Sequence, residues 1–317
     1  MALSNPASLG AGVAADLTRA RLGKRTVDTR GIVFRTALQV GLALAIVVLV
    51  VLLADVITEG WSVLSTRLGS FLTSTLNSRP SMAGIQQSLA GSLWSTALVV
   101  VLAFPVGIGA ALYLEEYAPR NRLTKFIELN VRNLAGVPSV VYGILGLTIF
   151  VQAMDGITQG QTVLAAGLTL SALVLPIVII TSAEAIRPVP DSIREGGYGV
   201  GATKWEIIRT FVLPYAAPGI ITGTILSLAR ALGEAAPLIL VGAVQGRLPN
   251  DDPIWDPAWL TERFTALPVT VADWASRPEK EFVSNTAAAI VVLLVVVLLA
   301  NMTAILLRNR YEKKRHG

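Results

Sequence analysis

Long runs without a charged residue are the feature that most limits what this chain can fold into. A helix needs about 20 apolar residues to cross the hydrocarbon core of a bilayer, and several of these runs are that long or longer. Only 15% of the 317 residues are charged, against about 25% in soluble domains. We therefore predict an integral membrane protein. The charge-free runs cover residues 36–54, 80–114, 133–154, 156–183 and 282–307.

Six transmembrane helices are predicted, because one further apolar stretch, from about Pro214, is interrupted only by Arg230 and Glu234. Backbone polar groups inside a bilayer must be satisfied within the segment, so spans of this length are helical. The fold class is therefore an all-α membrane bundle, with a transmembrane domain over residues 36–307. The predicted spans are about 36–56, 91–114, 133–154, 161–183, 214–244 and 284–307.

The distribution of basic residues predicts the orientation of the bundle. Most of the 26 lysines and arginines lie in alternate connections and at the two ends, and cytoplasmic segments carry such an excess. We predict that both termini are cytoplasmic, with an N-terminal arm at 1–35 and a basic tail at 308–317. The connection at 245–281 is then an external loop, and its tryptophans are expected at the headgroup level. Anionic lipid explains the basic arms without a nucleic-acid partner.

Composition also excludes several kinds of chemistry. The chain has no cysteine and a single histidine, His316, so thiol chemistry, cysteine-ligated metals and a histidine-based triad are ruled out. A membrane-embedded enzyme would need a catalytic constellation within the spans, where we find only one arginine and one carboxylate. No metal site and no cofactor bound by this chain are predicted.

A glycine-containing stretch, REGGYGVGATKWEIIRTFVLP, precedes the fifth span. Composition alone fits a helical loop on the membrane surface, and a phosphate-binding loop is excluded because Lys204 is followed by Trp205 instead of Ser or Thr. The spacing resembles the EAA loop of ABC-importer permeases, although two glycines replace the usual alanines and Phe211 the usual isoleucine. That resemblance implies a MetI-like permease fold and a coupling loop at 194–213 that docks on a cytoplasmic ATPase. The residues that match the EAA pattern are Glu195, Gly196, Gly197, Gly201, Leu213 and Pro214.

Three further segments are similar to the PstA-type permeases of bacterial phosphate importers. They are AFPVGIGAALYLEEYAP at 103–119, GVPSVVYGILGL at 136–147 and RALGEAAPLILVGA at 230–243, and LPVTVADWASRPEKEF and MTAILLRNRYEKK add to the likeness. The resemblance implies an inorganic phosphate path shared with a PstC-type permease in the plasma membrane. It also implies a PstS-type phosphate-binding protein outside the membrane and a PstB-type ATPase dimer, which would hold the ATP and magnesium. A permease for another oxyanion, sulfate or molybdate, remains an alternative, as does an assembly subunit without conduction.

Arg230 and Glu234 are the predicted substrate-path residues. Four positions apart, they would share one helix face, and Pro237 would allow a bend just beyond them. A buried ion pair that only helps to pack the bundle is the simpler interpretation. Ionisable groups within spans usually face a pathway, however, and a guanidinium matches phosphate oxygens. We expect Arg230 to attract the anion and Glu234 to prevent it from being held too tightly.

Overall fold

The computed structural model describes residues 29–249 and 254–316, and this part of the chain is almost entirely helical. Most successive helices are joined by short turns; the longer connections are 74–85 between α1 and α2, 154–162 between α4 and α5, and the longest, between α8 and α9. The helices are α1 Thr29–Thr73, α2 Gln86–Tyr117, α3 Arg122–Ala135, α4 Ser139–Ala153, α5 Val163–Ile186, α6 Asp191–Gly199, α7 Lys204–Gly233, α8 Ala236–Val241, α9 Leu267–Ala275 and α10 Glu281–His316, with one-turn helices at Asp155–Thr158 and Pro257–Thr261. Residues 1–28 of the predicted arm, 250–253 of the external loop and 317 of the tail lie outside the described residues.

The predicted all-α membrane fold is confirmed. Among the described residues, five helices (α1, α2, α5, α7 and α10) are long and apolar enough to cross a membrane. A sixth span arises if α3 and α4, which meet at a bend of 103°, are counted together. The third predicted span is therefore shorter than its charge-free run, because Pro138 precedes the first residue of α4 and the earlier residues belong to α3.

The helix of the fifth predicted span, α7, begins earlier than the sequence suggested. We predicted that Pro214 opens this span, but α7 starts at Lys204 after a capping box in which Thr203 and Glu206 bond each other's backbone amide. Proline inside a helix removes one hydrogen bond and crowds the preceding turn. A π-helical turn at Ile208–Val212 directly precedes Leu213 and Pro214, so the helix continues past the proline with locally altered hydrogen bonding.

The described chain divides into two compact units, residues up to Asp55 and residues from Val56 onward. The first unit contains the described part of α1 up to Asp55, in which the side chains are almost all exposed. In the second, α5 is central and packs against α2, α4 and α7. Its buried residues include Leu170, Leu173 and Val174.

Arg67 closes the turn between α1 and α2. Its backbone leaves helical geometry (φ −141°, ψ 27°). Its guanidinium donates to the carbonyl oxygens of Pro80 at 2.8 Å and Ala83 at 2.9 Å, and to the side chain of Asn285 in α10. One side chain thereby satisfies several loop carbonyls that the turn would otherwise leave without donors.

The predicted external loop folds back onto the bundle. Gln87, near the start of α2, exchanges two hydrogen bonds with the backbone of Leu248, at 3.0 and 3.1 Å. Trp259 and Trp274 are buried, at 0% and 2% exposure, whereas Trp255 is 79% exposed. Two of these tryptophans therefore have a protein environment, supplied by the packed loop, and their expected depth at the headgroup level stays a prediction.

Candidate functional site

A break in the helix lies at the predicted substrate-path residues. Helix α7 ends at Gly233, Glu234 is extended (φ −81°, ψ 122°), and α8 begins at Ala236. The predicted bend at Pro237 is therefore misplaced, since the chain leaves helical geometry three residues earlier. Pro237 instead occupies the first turn of α8, where its missing N–H costs no hydrogen bond.

Arg230 and Glu234 form an ion pair across this break. Arg230 Nε donates to Glu234 Oε1 at 3.3 Å. The two do not share a helix face as predicted, because Glu234 has already left the helix; the extended residue reaches back to the last turn. The arginine side chain is 40% exposed and the glutamate 18%, so within the described residues the pair is not sealed inside the protein.

Helix α4 packs closely beside the break. A Cβ atom on Gly143 would lie 2.8 Å from the Cα of Pro237 and from a methyl carbon of Leu240, a distance that real Cβ contacts do not reach. Tyr142 is nearly buried, and its hydroxyl donates to the carbonyl of Leu134 at 2.9 Å. Sequence reasoning assigned neither residue a role, although both lie in the GVPSVVYGILGL segment.

The predicted coupling residues do not form one surface. Glu195 and Gly196 are exposed on α6, whereas Gly197 is buried and a Cβ there would lie 2.6 Å from Ile207. Gly201 is exposed with φ +82° and open space around it, so its conformation, and not packing, favours glycine. Leu213 and Pro214 lie within α7, away from the α6 turn.

Apolar side chains project from the turn between α6 and α7. Val200 is 83% exposed, and Tyr198 and Trp205 are each 52% exposed. A set of large apolar groups at the tip of a charged segment is typical of an interaction site. The ATPase contact expected at this segment stays a prediction.

Two carboxylates at the end of α2 pair with arginines, one at the end of α5 and one on α6. Arg194 Nη2 donates to Glu116 Oε1 at 2.7 Å, and Arg187 Nη2 donates to Glu115 Oε1 at 2.5 Å. Hydrogen bonding to Glu116 raises the pKa of the Arg194 guanidinium above its usual value, against the opposing effect of burial. The two glutamates are adjacent in LYLEEYAP. Their position at the end of an apolar span is the sequence feature that could have identified them.

These contacts surround an open cleft at one end of the bundle. Its volume is about 430 Å³, and its lining includes both glutamates, both arginines and Lys204. The Lys204 ammonium lies 4.8 Å from the centre of the Tyr117 ring, a cation–π arrangement. Within residues 29–249 and 254–316, no group of three His, Cys, Asp or Glu side chains is placed to hold a metal ion.

The helices long and apolar enough to cross a membrane define an integral membrane protein, and the family that its sequence matches makes it a membrane transport subunit instead of a catalytic enzyme. The chain belongs to the family described as "Binding-protein-dependent transport system inner membrane component", whose profile matches residues 103–315. It is therefore an ABC-importer permease and a multi-pass protein of the inner, or plasma, membrane.

Individual relatives and structures agree with this family. The chain is 32% identical over 272 residues to the phosphate transport system permease protein PstA of Yersinia pestis, covering 84% of this chain and 85% of that one. It is 38% identical to PstA 1 of Mycobacterium tuberculosis (strain H37Rv), covering 62% of this chain and 64% of that one. An inward-facing structure of the MetNI methionine ABC transporter shares the fold, with a TM-score of 0.56, 18% identity, and coverage of 74% of this chain and 99% of that one.

Proposed function

We propose that this chain is the PstA-type permease subunit of a phosphate importer and lines half of the path for inorganic phosphate. The observation that carries the proposal is the similarity to PstA of Yersinia pestis over 85% of that protein's length. The exposed Arg230 at the helix break supplies chemistry that fits an anionic substrate.

The geometry of the Arg230–Glu234 pair suggests how the anion is held and released. Within the described residues, Glu234 accepts only from the Nε of Arg230, so the two terminal nitrogens remain to donate to phosphate oxygens. The nearby carboxylate reduces the positive potential and repels the anion. The pair therefore provides weak, transient binding, which a conduction path requires.

We also propose that the coupling segment at 194–213 transmits motion from a PstB-type ATPase dimer. Exposed Val200 and Trp205 would enter a groove of that partner. The Glu116–Arg194 and Glu115–Arg187 pairs would carry the displacement into α2 and α5, since ion pairs at 2.7 and 2.5 Å join rigid helices. ATP and magnesium would be bound and used by that partner.

The remaining assembly follows from the same proposal. A PstC-type permease would form the other wall of the path beside Arg230. A PstS-type binding protein would deliver phosphate at the face formed by residues 245–281. Both termini would be cytoplasmic, with the coupling segment on the same side.

Phosphate uptake in a bacterial strain that lacks its own PstA tests the proposal. We expect the intact chain to restore uptake and Arg230→Gln to lower it about 10- to 100-fold, because a charge-assisted hydrogen bond contributes about 1.5–3 kcal/mol. Arg230→Lys, which keeps the charge but loses the planar fork, should fall between the two.

Arg79→Gln, at an exposed loop residue, is the matched control and should leave uptake unchanged. Normal uptake by an assembled Arg230→Gln complex would refute the path role and favour an ion pair that only packs the bundle. If excess sulfate or molybdate abolished phosphate uptake, or if the chain restored sulfate uptake alone, the assignment to phosphate would be wrong.

A further inference from the structure

Helix α3 lies across the direction of the span that follows it. The axes of α3 and α4 meet at 103°, so if α4 crosses the bilayer, α3 runs nearly parallel to the membrane plane. The break is built by Gly136, Val137 and Pro138. The start of α3 is fixed by Asn121, whose side chain accepts from the amide of Thr124 at 2.9 Å.

One face of α3 is attached to the bundle. Thr124 is buried, and Val131 packs against the core of α5 and α7. Glu128, the single acidic residue of α3, lines a cleft with Glu115 and Arg187. The acidic side chain of the helix therefore points towards the protein.

The opposite face of α3 is exposed and carries four large apolar side chains, with the polar Asn130 and Asn133 between them. Leu123 is 65% exposed, Phe126 63%, Leu129 57% and Leu134 47%. We call these four residues the outer face of α3. Two basic side chains, Arg122 and Lys125, are also exposed on the same helix, whereas Arg132 lines the cleft together with Glu128.

We propose that α3 is an interfacial helix whose outer face is immersed in the bilayer at its boundary with water, while Arg122 and Lys125 bind anionic lipid headgroups. An amphipathic helix in the membrane plane, with large apolar residues on one face and Lys or Arg beside it, binds such an interface. The α3–α4 bend supplies the required orientation, and the inward position of Glu128 leaves the exposed charge of α3 positive. The partner is thus an anionic phospholipid surface.

This surface has a mechanical consequence. The cleft under α3 contains Arg187, which is paired with Glu115 at the end of α2. The neighbouring pair, Glu116–Arg194, holds the coupling segment. An α3 held by lipid therefore provides a fixed support against which the coupling segment moves. The inference depends on the family assignment and not on which anion is transported.

The absence of cysteine from the chain allows a direct test. Phe126→Cys and, separately, Leu129→Cys would be labelled with bimane in the complete importer, assembled with cysteine-free partner subunits in lipid nanodiscs. Quenching would be measured with brominated phosphatidylcholine, brominated phosphatidylglycerol and aqueous acrylamide. Leu44→Cys in the apolar part of α1 and Glu279→Cys in an exposed loop are the lipid and water references.

We expect both α3 labels to be quenched by brominated lipid about as strongly as the Leu44 label and to be protected from acrylamide. Quenching by acrylamide alone would overturn the proposal. Protection from both quenchers would also overturn it, because a protein partner would then cover the outer face.

The charge component has its own readout. We expect brominated phosphatidylglycerol to quench the α3 labels more than brominated phosphatidylcholine at equal content. Arg122→Gln and Lys125→Gln should each reduce that preference roughly fivefold. Arg263→Gln, an exposed residue of the 245–281 loop that bonds Gln161, is the control and should not change it. Equal quenching by the two lipids in the unaltered chain would refute the headgroup role.

Discussion

The ion pair between Glu116 and Arg194 predicts how three substitutions should rank in the stability that they remove. Glu116 is only 6% exposed and Arg194 20%, while Asp191, the second acidic partner of Arg194, is 88% exposed. Breaking a buried pair by removing one partner costs about 3–5 kcal/mol, whereas an exposed pair contributes about 0–1 kcal/mol. The two carboxylates meet one guanidinium, so burial is the main variable that separates them.

Removal of the arginine should be the most damaging change. Arg194→Gln leaves the carboxylate of Glu116 charged, nearly buried and without its cation, and it also weakens the bond to the Val189 carbonyl at 2.6 Å. We expect a loss of about 2–4 kcal/mol in the local stability of α6, below the fully buried limit because Arg194 has some solvent contact. Glu116→Gln keeps an acceptor for the guanidinium and should cost about 1–2 kcal/mol.

Asp191→Asn is the matched control, and we expect a cost below about 1 kcal/mol. The double variant Glu116→Gln/Arg194→Gln should be less damaging than the sum of the two single changes by about 1–3 kcal/mol, since the pair interacts directly. The raised pKa of Arg194 keeps the guanidinium charged throughout any practical pH range. A pH change therefore cannot imitate its removal.

Backbone hydrogen exchange across residues 191–203, measured on the full chain in nanodiscs, would give these local free energies. Each 1.4 kcal/mol corresponds to a tenfold faster exchange, so Arg194→Gln should accelerate exchange about 30- to 1000-fold. Equal acceleration by Arg194→Gln and Asp191→Asn, or additive single effects, would refute the reasoning that this pair holds the coupling segment to α2.

Three further substitutions test the packing and the turns by thermal unfolding and hydrogen exchange. Gly143→Ala should lower the free energy of unfolding by about 1–3 kcal/mol, because its new methyl group would clash with the start of α8. The control Gly109→Ala, which has open space around it, should be neutral or slightly stabilising. Equal effects of the two substitutions would contradict the close packing of α4 against α8. Gly201→Ala should lower the free energy of unfolding by about 1–2 kcal/mol because the residue has a positive φ, and Gly201→Asn should lower it less. A larger loss for Gly201→Asn would show that backbone conformation is not the reason for glycine at this position. Arg67→Gln should lower the unfolding temperature and loosen residues 79–85, while Arg79→Gln should not, and a stable Arg67→Gln variant would show that the loop carbonyls find other donors.

Two features of the candidate site were predictable because they depend on composition along a short stretch. Arg230 and Glu234 were identifiable as unusual because a charge in an apolar run is costly wherever the helix lies. The EAA-like spacing similarly located the segment from Glu195 to Pro214. The roles of the individual residues could not be read from that spacing. Gly197 packs against another residue of the same segment, whereas Gly201 is needed for its backbone conformation.

The supporting residues could not be found in the same way. Glu115 and Glu116 are separated from Arg187 and Arg194 by about 70 to 80 positions, and no local pattern joins them. The pairs exist only because α2 and α5 end side by side.

The sequence by itself determined that the chain is a helical membrane bundle and where most of its spans lie. Bilayer thickness and backbone hydrogen bonding act on each segment independently of its neighbours. Only the tertiary structure decided where helices break and which polar groups are paired. Glu234 leaves the helix beside a close packing contact of α4, and Trp259 is buried by a folded loop. Each of these depends on atoms supplied by distant parts of the chain or on the geometry of neighbouring helices, so the physical information is not present in the local sequence.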